Sequence, residues 1–264
     1  MSANLSQTYF PVKEVPAVFQ DTHLGETDLR EVSTGHKFIV REDTGQVLSC
    51  MTDEYKLVTN QEVMQAALPT LKEAGASLVE ERMFGNGART IWRWKFPDSI
   101  EIDKGDIVHP EVIIKNSYDG STTVLLMSGL YRLICSNGLV IGKTINQSAN
   151  RHSIYNPNLD KLPELIYELI VSTKAVITQD LHMLLNTKVE SNDRVVKIIE
   201  MFPQQVMEDL VNYLSKSKIK TYWDLLNACT WVTSHAMNRS NESTFKLENT
   251  IFPTLTKWAE QAQA

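Results

Sequence analysis

Residues 77–96 read SLVEERMFGNGARTIWRWKF. Two runs rich in apolar and aromatic residues flank the glycine-rich turn GNGA, and in RTIWRWKF bulky side chains recur at every second position. Period-two alternation on both sides of a Gly/Asn turn is the pattern of an antiparallel β-hairpin. In the second strand the alternation places Trp92, Trp94 and Phe96 on one face and Arg89, Ile91, Arg93 and Lys95 on the other.

Upstream, TNQEVMQAALPTLKEAG (59–75) switches to helical spacing. Thr59 followed by Glu62 makes a capping box, Val63, Ala66, Ala67 and Leu71 share a face, and Gly75 suits the position just past the helix end. Pro69 is expected to kink or split this helix. Before it, KFIVREDTGQVLSCMT (37–52) reads as a second hairpin around Thr44-Gly45. Residues 1–30 carry Pro11 and Pro16 with little periodicity, which reads as an extended arm packing on the body or on a neighbour.

Downstream, 98–105 reads as an acidic loop, and HPEVIIKN and TTVLLMSGLYRLI as two further strands. Asn116 to Gly120 suit a hairpin turn, and Asn137-Gly138 the end of the following strand. From residue 160 the pattern is helical throughout. LPELIYELIVSTKAVITQDLHMLLN, with Pro163 in its first turn, is followed by DRVVKIIEMF, PQQVMEDLVNYLSK, TYWDLLNACTWVTSHA and a segment ending FPTLTKWAEQA. The expected fold is α+β, an antiparallel β-meander with a packed helix followed by a helical C-terminal region. Its parts are the arm (1–30), the body (31–158) and the helical region (159–264).

The 264 residues carry a formal charge of −6, with 42% hydrophobic and 22% charged residues, which is ordinary for a soluble globular chain and argues against wholesale polyanion binding. Cys50, Cys135 and Cys229 lie far apart inside apolar runs and read as reduced, buried thiols. MSANLSQTYFPVKEVP lacks the basic and apolar regions of a signal peptide, and no apolar run reaches bilayer-spanning length. A cytoplasmic location without membrane contact is expected.

GLVIGKT (138–144) comes close to a phosphate-binding loop, but the first glycine of G-x-x-x-x-G-K-[ST] would fall on Asn137. Three β-favouring residues also stand where an anion cradle needs small ones, so the stretch reads as strand and turn. The six histidines form no i, i+4 pair and none neighbours a cysteine; no G-x-S-x-G elbow is present. The carboxylate pairs Glu80-Glu81 and Asp53-Glu54 read as solvated surface charges. No catalytic motif, metal site or cofactor is expected, and the chain reads as non-enzymatic.

Charge is more informative. Residues 82–96 hold four cations and no acid, and 112–158 add Lys115, Arg132, Lys143 and Arg151 against Asp119 alone. Arg89, Arg93, Lys95, Lys115, Arg132, Lys143 and Arg151 are therefore candidate phosphate contacts, with Trp92 and Trp94 as base-stacking platforms where their face is open. The competing interpretation is a sheet with a wet cationic side and a Trp core. Asn116, Asp119 and Asn137 are either turn residues or a loop site. Trp223, Leu226 and Trp231 share a helix face that either packs in the core or offers a groove to a partner.

In order along the chain, KFIVREDTGQVL, YKLVTNQE, NSYDGST, LYRLICSNGLV and YWDLLNACTW…H (37–235) resemble the phage/plasmid-like proteins of unknown function encoded by bacteriophages, plasmids and prophages. Trp231 is the clearest departure from that pattern. The resemblance implies a mobile-element origin and transfers no reaction or catalytic residue. The element order is also similar to that of phage single-strand annealing recombinases, which is a fold-level analogy only. The resulting expectation is an oligomer-forming protein that binds single-stranded DNA in annealing, recombination or replication. Its rival is an interaction protein that inhibits a host defence or replication factor.

Overall fold

The computed structural model describes residues 7–21, 30–103, 105–122, 124–132, 137–140, 159–237 and 242–263. Strands β1 (Val12–Asp21), β2 (Arg30–Arg41) and β3 (Val47–Thr52) form a three-stranded antiparallel sheet in that order. Helix α1 (Asn60–Glu73) leads into a second sheet of six strands. Its main path is β4 (Ser77–Phe84), β5 (Arg89–Lys95), β7 (Asp106–Ser117), β8 (Leu125–Arg132) and β9 (Asn137–Val140), and β6 (Ile100–Asp103) pairs with β7. Helices α2 (Leu162–Asn186), α3 (Asn192–Glu200), α4 (Gln204–Lys216), α5 (Tyr222–His235) and α6 (Glu242–Gln263) complete the chain. The fold is α+β with antiparallel sheets, as its alternation and helical spacing require.

The GNGA turn works because its backbone is left-handed: Gly85, Asn86 and Gly87 have φ of 57°, 59° and 102°. Glycine is required at position 87 for a second reason, since a Cβ there would lie 2.7 Å from Phe10 Cζ. Phe10 sits under the Arg41 guanidinium, 3.7 Å from the ring centroid, and Arg41 Nη1 donates to Asn86 O at 3.1 Å. The chain start and β2 are thus clamped on the hairpin turn of the larger sheet. Within the expected arm (1–30), Val12–Asp21 form strand β1, which packs on the body by pairing with β2 along its length.

Helix α1 has the expected capping box, with Thr59 and Glu62 satisfying each other's backbone. It ends in a Schellman motif: Ala76 N–H donates to Leu71 O at 2.8 Å and Gly75 N–H to Lys72 O at 3.0 Å, with Gly75 at φ 69°. Of the two expected effects of Pro69, a split is absent: α1 runs as one helix from Asn60 to Glu73. Pro69 and Gln65 both face solvent, so the carbonyl that loses its intrahelical partner is on the wet side. Thr59→Ala is expected to cost about 1 kcal/mol, seen as a lower urea midpoint at unchanged slope. An unchanged midpoint would mean the cap contributes nothing.

The larger sheet is covered on both faces. On one, Trp92, Trp94, Phe96, Val112, Ile114 and Leu126 pack against Val63, Met64, Ala67 and Leu71 of α1 and Leu162, Ile166 and Leu169 of α2. On the other, Phe84, Ile91, Ile113 and Met127 meet Phe245 of α6. A third cluster fills the helical region and includes Ile102 and Val108 of β6 and β7, so sheet and helices share a core. A fourth, of Phe10, Ile39, Tyr55 and Tyr118, joins the two sheets. Part of the expected acidic loop is strand β6, and Asn137 opens β9 rather than ending a strand. Among the described residues no helix is long and apolar enough to cross a membrane.

Candidate functional site

The predicted sidedness of β5 is correct, and its predicted wetness is not. Trp92 and Trp94 are 0% and 3% exposed, so neither offers a ring to a base; the Trp face is core. The indole N–H of Trp92 donates to Thr8 Oγ1 at 3.1 Å and to Glu81 Oε1 at 3.1 Å. Glu81 is therefore a buried-network partner and not the solvated charge its sequence context suggests.

On the opposite face, Arg93 is 1% exposed and bonded to Glu111, with Glu80 Oε2 at 3.4 Å from its Nη1. Arg82 of β4 meets Glu80 at 2.8 Å and, at 3.5 Å, Glu248 of α6. Two arginines and three glutamates thus form one cluster between sheet and helix. Burial pushes the Glu111 carboxyl above the ordinary carboxylate range; Arg93 pulls it back, and Glu80 and Glu248 push it further up. Burial is the largest influence on Arg93 and works against its charge, but Glu111, Glu248 and Glu80 together outweigh it and keep the guanidinium charged. Gly129 makes room for this arrangement, because a Cβ there would lie 2.6 Å from Glu111 Cγ.

The other candidate cations are dispersed. Arg89 Nε lies 3.3 Å from Asp119 Oδ2 at the end of the sheet. Half-buried Lys115 has its Nζ 5.9 Å from the Phe245 ring centroid. Lys95 is half-buried opposite Glu111 in the strand register. Arg132 is placed by its backbone at the end of β8, facing Val108 and Asn137; Lys143 and Arg151, like most of the GLVIGKT stretch, lie outside the described residues. Of these cations Arg93 lies inside the ion cluster, Arg89 is paired with Asp119 and Lys115 adjoins Phe245 of α6.

Asn116 is 0% exposed and structural: its amide donates to Val58 O at 3.1 Å and to Asn60 Oδ1 at 2.9 Å. Asn60 in turn donates to Thr8 O at 3.0 Å and to Thr90 Oγ1 at 3.1 Å, so a buried asparagine pair ties the chain start to both α1 and β7. Asp119 accepts from Ser121 N–H at 2.9 Å, a turn bond, besides pairing with Arg89. The two do not converge on a ligand. Asn137 is placed only by its backbone, as the first residue of β9.

Glu111 and Glu248 were absent from the sequence reading. The signal for Glu111 was an acid inside the apolar strand HPEVIIKN, where burial demands a partner. Glu248, one helical turn beyond Phe245, carried no comparable mark.

What does face outward is the smaller sheet. Its inner side carries Ile39, with Met51 near Gly120 and Ser49 donating to Tyr118 O at 2.6 Å. The register puts Val15, Phe38 and Cys50 in one row of the outer side, with Val47 in the neighbouring strand beyond buried Val40. Phe38 is 37% and Val47 53% exposed, and further along the hairpin Val18 and Phe19 are 44% and 53% exposed. Cys50 is an exposed free thiol, against expectation; Cys229 is buried, which pushes its thiol up, and Cys135 lies outside the described residues. Trp223 is core, whereas Trp231 stacks between Tyr213 and His235 at the surface of the helical region. Among the described residues no group of three or more His, Cys, Asp or Glu is arranged to hold a metal ion.

Residues 47–263 match the family described as Domain of unknown function (DUF932). Two proteins of Escherichia coli (strain K12) are similar over short stretches. UPF0380 protein YafZ is 42% identical and UPF0380 protein YfjQ 40% identical, each over 38 residues, or 14% of this chain and 14% of theirs. No solved structure matches.

Proposed function

Because the chain belongs to the DUF932 family, whose description assigns no activity, its role is read from its own surface, and we propose that it is a non-enzymatic interaction protein that docks a protein partner on the outer side of its three-stranded sheet. The observation that carries this reading is the concentration of exposed apolar side chains. Val18, Phe19, Phe38 and Val47 are half of the eight large apolar residues left exposed among the described residues and all belong to this one small sheet; alternation along β1 puts Phe19 on the side of Val15 and Phe38, with Val18 on the other. A soluble chain leaves such a face open when something covers it in use.

The partner meets the face rather than the edge. Edge strand β1 carries Lys13, Pro16 and a bulge at Ala17/Val18, three devices that block strand-to-strand addition. Strands β1 and β2 also precede the family-matched residues, which favours a partner particular to this chain. Given the resemblance to phage and plasmid proteins, that partner is a host defence or replication factor. With Arg93 buried, Arg89 beside Asp119 and the two tryptophans in the core, the inhibitor reading takes precedence over annealing on the sheet.

The test is a pull-down from bacterial lysate with the wild type and with Phe19→Ser/Phe38→Ser. The double variant is expected to fold with an unchanged melting temperature and to bind its stoichiometric partner about 30-fold more weakly, the loss of one interface hot spot of about 2 kcal/mol. Unchanged retention, or no partner with the wild type, ends the proposal. Concentration-dependent dimerisation abolished by the same double variant would replace the host partner with a second copy.

A further inference from the structure

Residues 215–220 read SKSKIK, linking α4 to α5. This link is tied to the end of α2: Val189 N–H donates to Lys220 O at 2.9 Å, Tyr222 N–H to Thr187 O at 3.1 Å, and Lys188 faces Thr221 in an antiparallel bridge. Lys188, Lys216, Lys218 and Lys220 therefore stand on two adjoining segments, and all are exposed. Ile219 packs against the helical core between Lys218 and Lys220, which leaves those two side chains at the surface.

The electrostatics are the reverse of those on the sheet. Asp224, the nearest acid of α5, is committed to the helix cap, where its carboxylate accepts from the backbone N–H of Lys220 and of Thr221, both at 2.9 Å. Glu190 is the other acid on these segments, and among the described residues none of the lysines pairs with a carboxylate. Lys216 also complements the C-terminal end of α4, but that purpose does not account for the others.

An aromatic row begins near the cluster and runs to the far end of α5. Tyr213, one turn before Lys216, stacks on Trp231 at 4.9 Å between centroids and 30° between planes. Trp231 stacks on His235 at 4.9 Å and 15°, and His235 is exposed. Exposed cations that follow a backbone, next to rings that a base can extend, are the two elements of single-strand recognition.

We propose that the α4–α5 link and the α2 end form a nucleic-acid docking surface, with Lys188, Lys216, Lys218 and Lys220 on phosphates and a base stacking on the outer face of His235. The shared chemistry is a phosphodiester backbone; the aromatic row favours a single strand. Titrating a fluorescent oligothymidylate against the full chain, with a duplex of equal length in parallel, tests it. Four lysine contacts predict an affinity that falls about 50-fold as salt rises from about 50 to about 200 mM, the slope being about 0.7 per phosphate contact on a single strand. Lys216→Gln/Lys218→Gln/Lys220→Gln leaves one contact and should reduce that fall to about 3-fold. These are exposed positions, so the triple variant keeps its fold. Tighter binding of the single strand identifies the aromatic row as a participant, and equal or tighter duplex binding assigns the surface to duplex backbone. No binding at about 50 mM salt, or a triple variant with unchanged affinity and salt slope, overturns the proposal.

Discussion

Glu111→Ala lowers the unfolding free energy by about 3–5 kcal/mol, the cost of leaving a buried charge without its partner. The variant strips Arg93 of its main partner and leaves it the 3.4 Å contact to Glu80, in a place that water does not reach. The cluster also holds α6 to the sheet through Arg82 and Glu248, so the loss should loosen that helix as well. Urea unfolding at neutral pH measures the effect, and a loss under about 1 kcal/mol would show that the cluster is not a buried, interdependent unit.

Glu111→Gln separates charge from shape. Glutamine keeps an oxygen for Arg93 and should cost far less than alanine. The sign of the pH effect follows from the raised Glu111 pKa. A carboxyl whose folded pKa lies above its unfolded value stabilises fully below the unfolded value, about 4.3, and loses that contribution as pH rises through the folded value. The wild-type stability minus that of Glu111→Gln should therefore fall as pH rises above about 4.3. A difference that grows with pH would mean that Glu111 ionises more readily in the fold than in the unfolded chain.

Trp92→Ala is expected to cost a similar amount, about 3–5 kcal/mol, by opening a cavity between the sheet and helices α1 and α2. It also removes the N–H that Thr8 and Glu81 accept, and so weakens the anchoring of the chain start. Trp92→Phe keeps most of the packing and loses only the polar contact, for about 1–2 kcal/mol. Melting temperature and urea midpoint distinguish this core role from a base-stacking one. A stacking residue would lose oligonucleotide affinity at unchanged stability; Trp92→Ala should do the opposite.

Local signals were legible where the physics is local. The capping box at Thr59, the Schellman end at Gly75 and the left-handed turn at 85–87 depend on residues within a few positions of one another, and they formed as read. Whether Pro69 splits α1 was not legible locally, because its effect depends on which side of the helix meets solvent. The cationic run at 82–96 was real as composition and misleading as a surface. Its neutralising partners come from across the sheet, Glu80 and Glu111 by strand register and Glu248 from a helix 166 residues beyond Arg82. The lysines of 215–220 were passed over because their link to Lys188 exists only through a two-residue backbone pairing.

The amino-acid order by itself determined the α+β class, the strand and helix succession, and which side chains of β5 share a face, because alternation and helical spacing are properties of the chain's own backbone geometry. Only the tertiary structure decided what lies against each face. Whether an arginine is a phosphate contact or half of a buried ion pair depends on the group packed opposite it, and that group is brought there by burial of apolar surface between segments distant in the chain.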